Sequence, residues 1–216
     1  MRQYVRCSEA DSKWLSSRFV NSLSAFSLLE LLFVVAILLI VTTMYWGGNS
    51  RASKQAALKA ACQQNLQKIY LAMQVYANDS AGKFPVVSGA ATAEQPVGLL
   101  VPRYNSDTMV FTCPASKDQT IPPGSSLASH KISYAYYQGR RIEDATAPLM
   151  SDRQVDSLSK TSGQSAFSPD GKAPGNNHGK AGGNFLFCDG HLESSGPSPP
   201  FSLVLTQGVV LLNPKP

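Results

Sequence analysis

An α+β fold is predicted: one long N-terminal helix, apolar in its first half and amphipathic in its second, packed on a small antiparallel β-sheet with long loops. Three observations predict it. Phe26 to Trp46 is a run of 21 residues whose only formal charge is Glu30. Leu58, Cys62, Leu66, Ile69, Met73 and Tyr76 recur at steps of three and four, the period of a helix with one face on a core. Beyond Val86 the composition shifts to short apolar runs broken by Gly, Pro, Ser and Asn, as expected of strands joined by loops.

The first half of the helix is long enough to cross a membrane: at ~1.5 Å per residue it spans a hydrocarbon core of about 30 Å. A charge at the centre of such a span costs on the order of 2.5–3.5 kcal/mol, so Glu30 asks for a reason. A secretory signal is cut after its apolar core at a small-x-small site. The candidate here, Gly48-x-Ser50, lies directly behind the bulky Met44-Tyr45-Trp46. A plain anchor fits the length and leaves Glu30 unexplained. Arg2, Arg6, Lys13 and Arg18 before the run are balanced by Arg51, Lys54, Lys59 and Lys68 after it, so positive charge does not set the orientation.

In the second half, Lys59, Gln63, Gln64 and Lys68 lie off the apolar stripe, where water can solvate them. Gly47-Gly48-Asn49-Ser50 is a weak point within the long helix, since each helical glycine costs about 1 kcal/mol. The polar cluster Asn78 to Ser80, then Gly82 and Pro85, ends it. From Phe26 to about Asp79 it would reach ~80 Å.

Val97–Pro102 reads as a short helical turn or edge segment, and Met109–Cys113 as a strand stopped by Pro114. Lys131–Tyr137 alternates with aromatics and reads as another strand. Ser157–Gly183 is a long Gly-, Ser- and Asn-rich loop. Asp189-Gly190 is a strong hairpin signal, with Phe185 and Phe187 on one side of the first strand, Leu186 and Cys188 on the other, and His191-Leu192-Glu193 returning. The Pro-rich break after Gly196 leads to Phe201–Asn213, too short to span a membrane; it forms an extra strand pair or a sticky tail.

Composition excludes other classes. With 216 residues the chain holds one globular domain beside a membrane segment. Hydrophobic residues at 43% and charged ones at 15% mark a folded chain. The net charge of +5 is scattered, the longest basic pair being Arg140-Arg141, so no nucleic-acid partner is expected. Cys7, Cys62, Cys113 and Cys188 show no CxxC spacing, which argues against a zinc ribbon or a thioredoxin-like motif.

Ala25-Phe26-Ser27-Leu28-Leu29-Glu30 and the apolar run resemble the processing site of type IV pilins and type II secretion pseudopilins. The family usually has Gly before the cut; this chain has Ala25. The resemblance implies cleavage between Ala25 and Phe26 by a prepilin peptidase, with N-methylation of Phe26 and Glu30 as the fifth mature residue. Glu30 would then pair with the amino terminus of a neighbouring subunit inside a filament of packed helices, which offsets its desolvation and fixes register. The alternative is a snorkelling carboxylate at headgroup level.

Cys62–Pro85 is similar to the segment that follows the first half of the helix in pseudopilins related to the major type II subunit, with Asn65-Leu66, Tyr76 and the exit Gly82-Lys83-Phe84-Pro85. His178, ten residues, then Asp189-Gly190-His191 resembles a subgroup of pilin-like proteins that has nine. Phe111–Pro114, Ser133–Tyr136 and Met150–Arg153 are like segments of that subgroup. Together these resemblances cover Ala25 to about Glu193.

The resemblance implies a pilin-like fold and a non-enzymatic structural subunit. Its parts would be a cytoplasmic leader at 1–25, a transmembrane segment at 26–46, a periplasmic amphipathic helix at 47–79, a β-rich head at 80–195 and a tail at 196–216. Expected partners are the prepilin peptidase, other pilin-like subunits, an inner-membrane assembly platform and membrane lipid. The expected place is the inner membrane of a Gram-negative bacterium, crossed once, with the C-terminal domain in the periplasm. Loss of the leader would remove four basic and two acidic residues and take the net charge from +5 to +3.

In an oxidising periplasm the mature chain keeps Cys62, Cys113 and Cys188. Cys62–Cys113 is the preferred bridge and Cys113–Cys188 the runner-up. The major pseudopilins hold calcium in a C-terminal loop; Asp152, Asp156, Asp170 and Asp189 supply oxygens without EF-hand-like spacing, so no cofactor is expected and calcium is a minor alternative. A different class of function remains: a membrane-anchored periplasmic binding protein or hydrolase using His178, Asp189 and His191 as a metal or catalytic constellation. No HExxH or Gly-x-Ser-x-Gly accompanies them, and His130 sits in a loop-like context.

Overall fold

The computed structural model describes residues 27–47 and 50–216. They fall into two compact units, divided after Gly48. Ala25 and Phe26 lie outside the described residues, as does the centre of the expected weak point at residues 48–49.

The described part of the first unit is one helix, α1 (Leu28–Gly47). It opens on a cap: the Glu30 amide donates to the Ser27 hydroxyl at 3.1 Å, and Ser27 followed three residues on by Glu30 is the capping-box pattern. Leu28–Tyr45 is long and apolar enough to cross a membrane. The Thr42 and Thr43 hydroxyls donate back to the carbonyls of Leu39 and Ile40, so neither needs water.

The second unit is mixed α+β. Its long helix, α2 (Ser50–Asp79), buries Cys62, Leu66, Ile69, Tyr70, Met73 and Ala77, the face that the periodicity predicts, with Leu58 and Tyr76 half-covered. It stops at a turn in which Gly82, at φ +77°, donates its N–H to the Ala77 carbonyl at 2.8 Å. A helical turn, α3 (Glu94–Val97), runs into a 3-10 turn at Gly98–Leu100.

The sheet is wholly antiparallel, in the order β4-β3-β2-β1-β5. Its strands are β1 (Tyr134–Gln138), β2 (Pro148–Asp152), β3 (Gly183–Phe187), β4 (Leu192–Ser195) and β5 (Val210–Leu212). Side chains alternate across it. Tyr134, Tyr136, Met150, Leu186 and Leu212 join the core under α2. Phe185 and Phe187 face the other way, onto Phe167, Phe201 and Leu203, and Ala135 and Tyr137 pack beside Leu211. An irregularity between Pro148 and Met150 shifts the register, and with it Leu149 and Met150 both reach the core under α2.

Three expectations are corrected. Met109–Cys113 is not a strand: Thr108–Phe111 is a 3-10 helix capped by the Asp107 carboxylate, which accepts from the Met109 amide. The strand expected at Lys131–Tyr137 begins only at Tyr134, because the Ile132 amide is committed to Glu94 and the Ser133 amide to the Phe111 carbonyl. The tail is not a sticky tail, and its strands pair with the rest of the head and not with each other: β5 borders β1, and Leu203 bridges Lys160. Asn213 and Lys215 then fasten it down, by bonds from Ala93 N and Gln154 N to Asn213 and from Lys215 N to the buried carboxylate of Glu94.

Candidate functional site

Two arrangements carry chemistry. The first is α1. Its large apolar residues are exposed all round, from 46% at Val34 to 84% at Tyr45, a surface that water does not favour. Glu30 is exposed in its first turn, where a carboxylate is stabilised by the helix dipole.

The second lies in the second unit, where the end of β2 meets the loop ahead of β3. Asp152 is fully buried, and its carboxylate is held on several sides. Asn177 Nδ2 donates to Oδ1 at 2.9 Å, while Asn184 donates to Oδ2 from its backbone at 2.8 Å and its amide at 3.0 Å. His178 Nε2 stands 3.2 Å from the same Oδ2 and 3.6 Å from Cys113 Sγ. Cys113 is in turn disulfide-bonded to Cys62 on α2. Lys59, expected to be solvated, instead donates its ammonium to the carbonyls of Ala181 and Ser195 at 2.9 and 2.8 Å. Burial lowers its pKa, and the nearby Asp152 charge opposes that shift.

His178 also lines a cleft of about 640 Å³ with Asp118, Lys131, Arg153 and Asn177 among its walls. Asp118 neutralises part of that basic rim, accepting from Arg153 Nη2 at 2.6 Å and lying 3.7 Å from Lys131.

The structure does not bring His178 together with Asp189 and His191. Those two sit at the far end of β3, ~13 Å along the strand at about 3.3 Å per residue. Asp189 Oδ1 pairs with His191 Nδ1 at 2.6 Å and accepts the His191 amide at 3.0 Å; the backbone bond first, then the imidazole, holds the Asp189 carboxyl below its usual range. The His191 ring stacks on Phe187. Gly190, at φ +89°, lies so near Tyr70 that a Cβ would come within 2.3 Å of its ring. The Tyr70 hydroxyl donates to the Cys188 carbonyl at 3.0 Å. Asp189-Gly190-His191 is therefore a hairpin turn seated on α2.

The remaining candidates are engaged one by one. Asp156 pairs with Lys160 at 2.6 Å, and Asp170 accepts from the Ser168 hydroxyl and the Lys172 amide. His130 is bonded within its own turn to Ser126 and Ser129. Cys188 is buried and outside the disulfide.

Sequence reasoning misses Asp152 as the partner of His178, and Asn177, Asn184 and Lys59 around it. Met150–Arg153 stands out in the sequence only through resemblance, and Asn176–Asn184 as part of a conspicuous stretch read as loop and hairpin; the pairing of the two is long-range, and no local period reports it. Comparison of the chain with family models, curated proteins and solved structures yields no match in any of the three.

Proposed function

We propose that this chain is a pilin-like subunit, a pseudopilin of a type II secretion or type IV pilus-like machine, anchored and assembled through its N-terminal helix for protein secretion. One observation carries the reading. A helix of 20 residues, exposed and apolar on every side, opens on a Ser27 cap with a single carboxylate, Glu30, in its first turn. Such a surface needs lipid or sibling helices to cover it, and a lone acid at its start is suited to a neighbour's amino terminus. The α+β head, with its amphipathic α2 on an antiparallel sheet, is compatible with that role.

On this reading the prepilin peptidase cuts before Phe26 and methylates it. The subunit crosses the inner membrane once, its head lies in the periplasm, and other pilin-like subunits and the assembly platform are its partners. It is a structural element and not an enzyme. The separation of His178 from the Asp189–His191 pair favours this over a hydrolase or binding protein built on those three residues.

Intact-mass and amino-terminal analysis of the membrane-extracted protein tests the proposal. A mature chain starting at methylated Phe26 is the expected result; one starting at Met1 or at Arg51 ends the reading. Glu30→Ala should leave the head folded and abolish incorporation into filaments, and normal assembly of that variant would remove Glu30 from its role.

A further inference from the structure

We propose that the centre formed by Cys62, Cys113, Asp152 and His178 is a redox-gated metal site, which binds one Zn²⁺ when the disulfide is open and releases it when the disulfide closes. The site lies wholly in the second unit and owes nothing to the apolar helix, so it stands or falls apart from the proposed function. Four potential ligand atoms, two sulfurs, one imidazole nitrogen and one carboxylate oxygen, all lie within 4.8 Å of one another, and all four residues are buried. They come from four separate places: α2, the turn before Pro114, the end of β2 and the loop before β3.

The spacing suits a tetrahedral ion. With Zn–S of about 2.3 Å and Zn–N and Zn–O of about 2.0–2.1 Å, a tetrahedron has edges of about 3.6 Å between S and N and about 3.3 Å between N and O. The observed separations are 3.6 Å from Cys113 Sγ to His178 Nε2 and 3.2 Å from His178 Nε2 to Asp152 Oδ2. Two of the ligand edges are thus already set. Once reduced, the two sulfurs must part to about 3.8 Å, the S–S edge of the same tetrahedron. A side-chain rotation at Cys62 opens that edge and leaves Cys113 Sγ beside His178.

The outer partners are those a metal ligand needs. Asn177 and Asn184 fix the Asp152 carboxylate through both oxygens, as outer partners of ligating groups do. His178 Nδ1 is buried with no hydrogen-bond partner among the described residues, and His178 lines the cleft together with Lys131 and Arg153. With Zn²⁺ on Nε2, the ring proton is carried by Nδ1. Two thiolates and one carboxylate around Zn²⁺ leave one net negative charge, and the Lys59 ammonium nearby offsets it.

The chemistry balances. A dithiol reductant gives two electrons and two protons to the Cys62–Cys113 bond, yielding two thiols and its own disulfide. Zn²⁺ then displaces both thiol protons. A disulfide-bearing oxidant takes two electrons from the thiolates, reforms the Cys62–Cys113 bond and frees the ion.

The test uses the full chain in detergent, oxidised or reduced with a phosphine, with near-ultraviolet circular dichroism monitoring the fold. Added Co²⁺ should give the reduced chain one equivalent of tetrahedral absorption with thiolate-to-cobalt charge transfer, bleached by Zn²⁺, and should give the oxidised chain none. His178→Ala and Asp152→Asn should each weaken binding at least about tenfold, the lower bound for losing even an outer partner of a metal ligand, and Cys188→Ala should not. If reduction unfolds the head, Zn²⁺ should restore the dichroism. Absence of stoichiometric binding by the reduced chain, unaltered binding in both ligand variants, or dependence on Cys188 would each overturn the proposal.

Discussion

Gly190 shows how one residue can hold a motif in place for reasons of shape. Its positive φ and the Tyr70 ring beneath it leave no room for a side chain. Gly190→Ala should cost about 2–4 kcal/mol from backbone strain and overpacking together, seen as a lower denaturation midpoint with an unchanged m-value. Cys188, next to that turn, sets a pH dependence. Burial pushes its thiol up to about 12 from about 8.5 in the unfolded chain. A raised folded pKa means that the folded chain keeps a proton that the unfolded one gives up. Its contribution to stability is therefore full below about pH 8.5 and fades as pH climbs toward about 12. The buried phenols of Tyr134 and Tyr136 are also pushed up by desolvation and act in the same direction at higher pH. Urea denaturation between pH 8 and 11 should show falling stability, less steep in Cys188→Ala. At pH 8, alkylation of the native chain should leave Cys188 unmodified.

At the scale of elements, the edge strand β5 is the least legible part of the chain. Val210–Leu212 is three residues long and follows a Pro-rich stretch, so no local signal separates it from a loose tail. Its place is decided by partners distant in sequence: β1, Asn213 against Gln154, and Lys215 on Glu94. Deleting Val209–Pro216 would expose the β1 edge, leave the Glu94 carboxylate short of a donor, and remove Leu211 and Leu212. Two buried leucines at about 1.5–3 kcal/mol each set the loss at about 3 kcal/mol or more, and the bare edge should promote self-association. Thermal unfolding and light scattering of the truncated chain check both. The Asp189-Gly190 hairpin and the stripe on α2 are legible because each is a short-range pattern. Met109–Cys113 misleads because Val, Phe and Thr suit a strand anywhere, while the Asp107 cap that turns them into a 3-10 helix is a single hydrogen bond.

For the whole molecule, among the described residues the core beneath α2 and the two clusters behind the sheet draw only on Cys62 to Leu212. Residues 49–216 should therefore fold without α1. That fragment should be soluble without detergent and unfold in one cooperative transition. The full chain should need detergent, because α1 exposes apolar surface on every side. Aggregation of the isolated fragment, or a non-cooperative melt, would show that the head depends on the helix that precedes it.

Local sequence suffices for the apolar helix with its lone Glu30, the buried face of α2, the hairpin at Asp189-Gly190 and the mixed α+β class. Each is written in a period or a dipeptide that acts over a few residues. It takes long-range packing to set β5 at the border of the sheet and to turn His178 away from His191. The same packing brings His178, Asn177 and Asn184 to Asp152, and His178 to the Cys62–Cys113 disulfide. Those contacts join residues 25 to 65 apart in the chain. They form because buried polar groups must find partners in the low-dielectric interior, and folding brings those partners from wherever in the chain they lie.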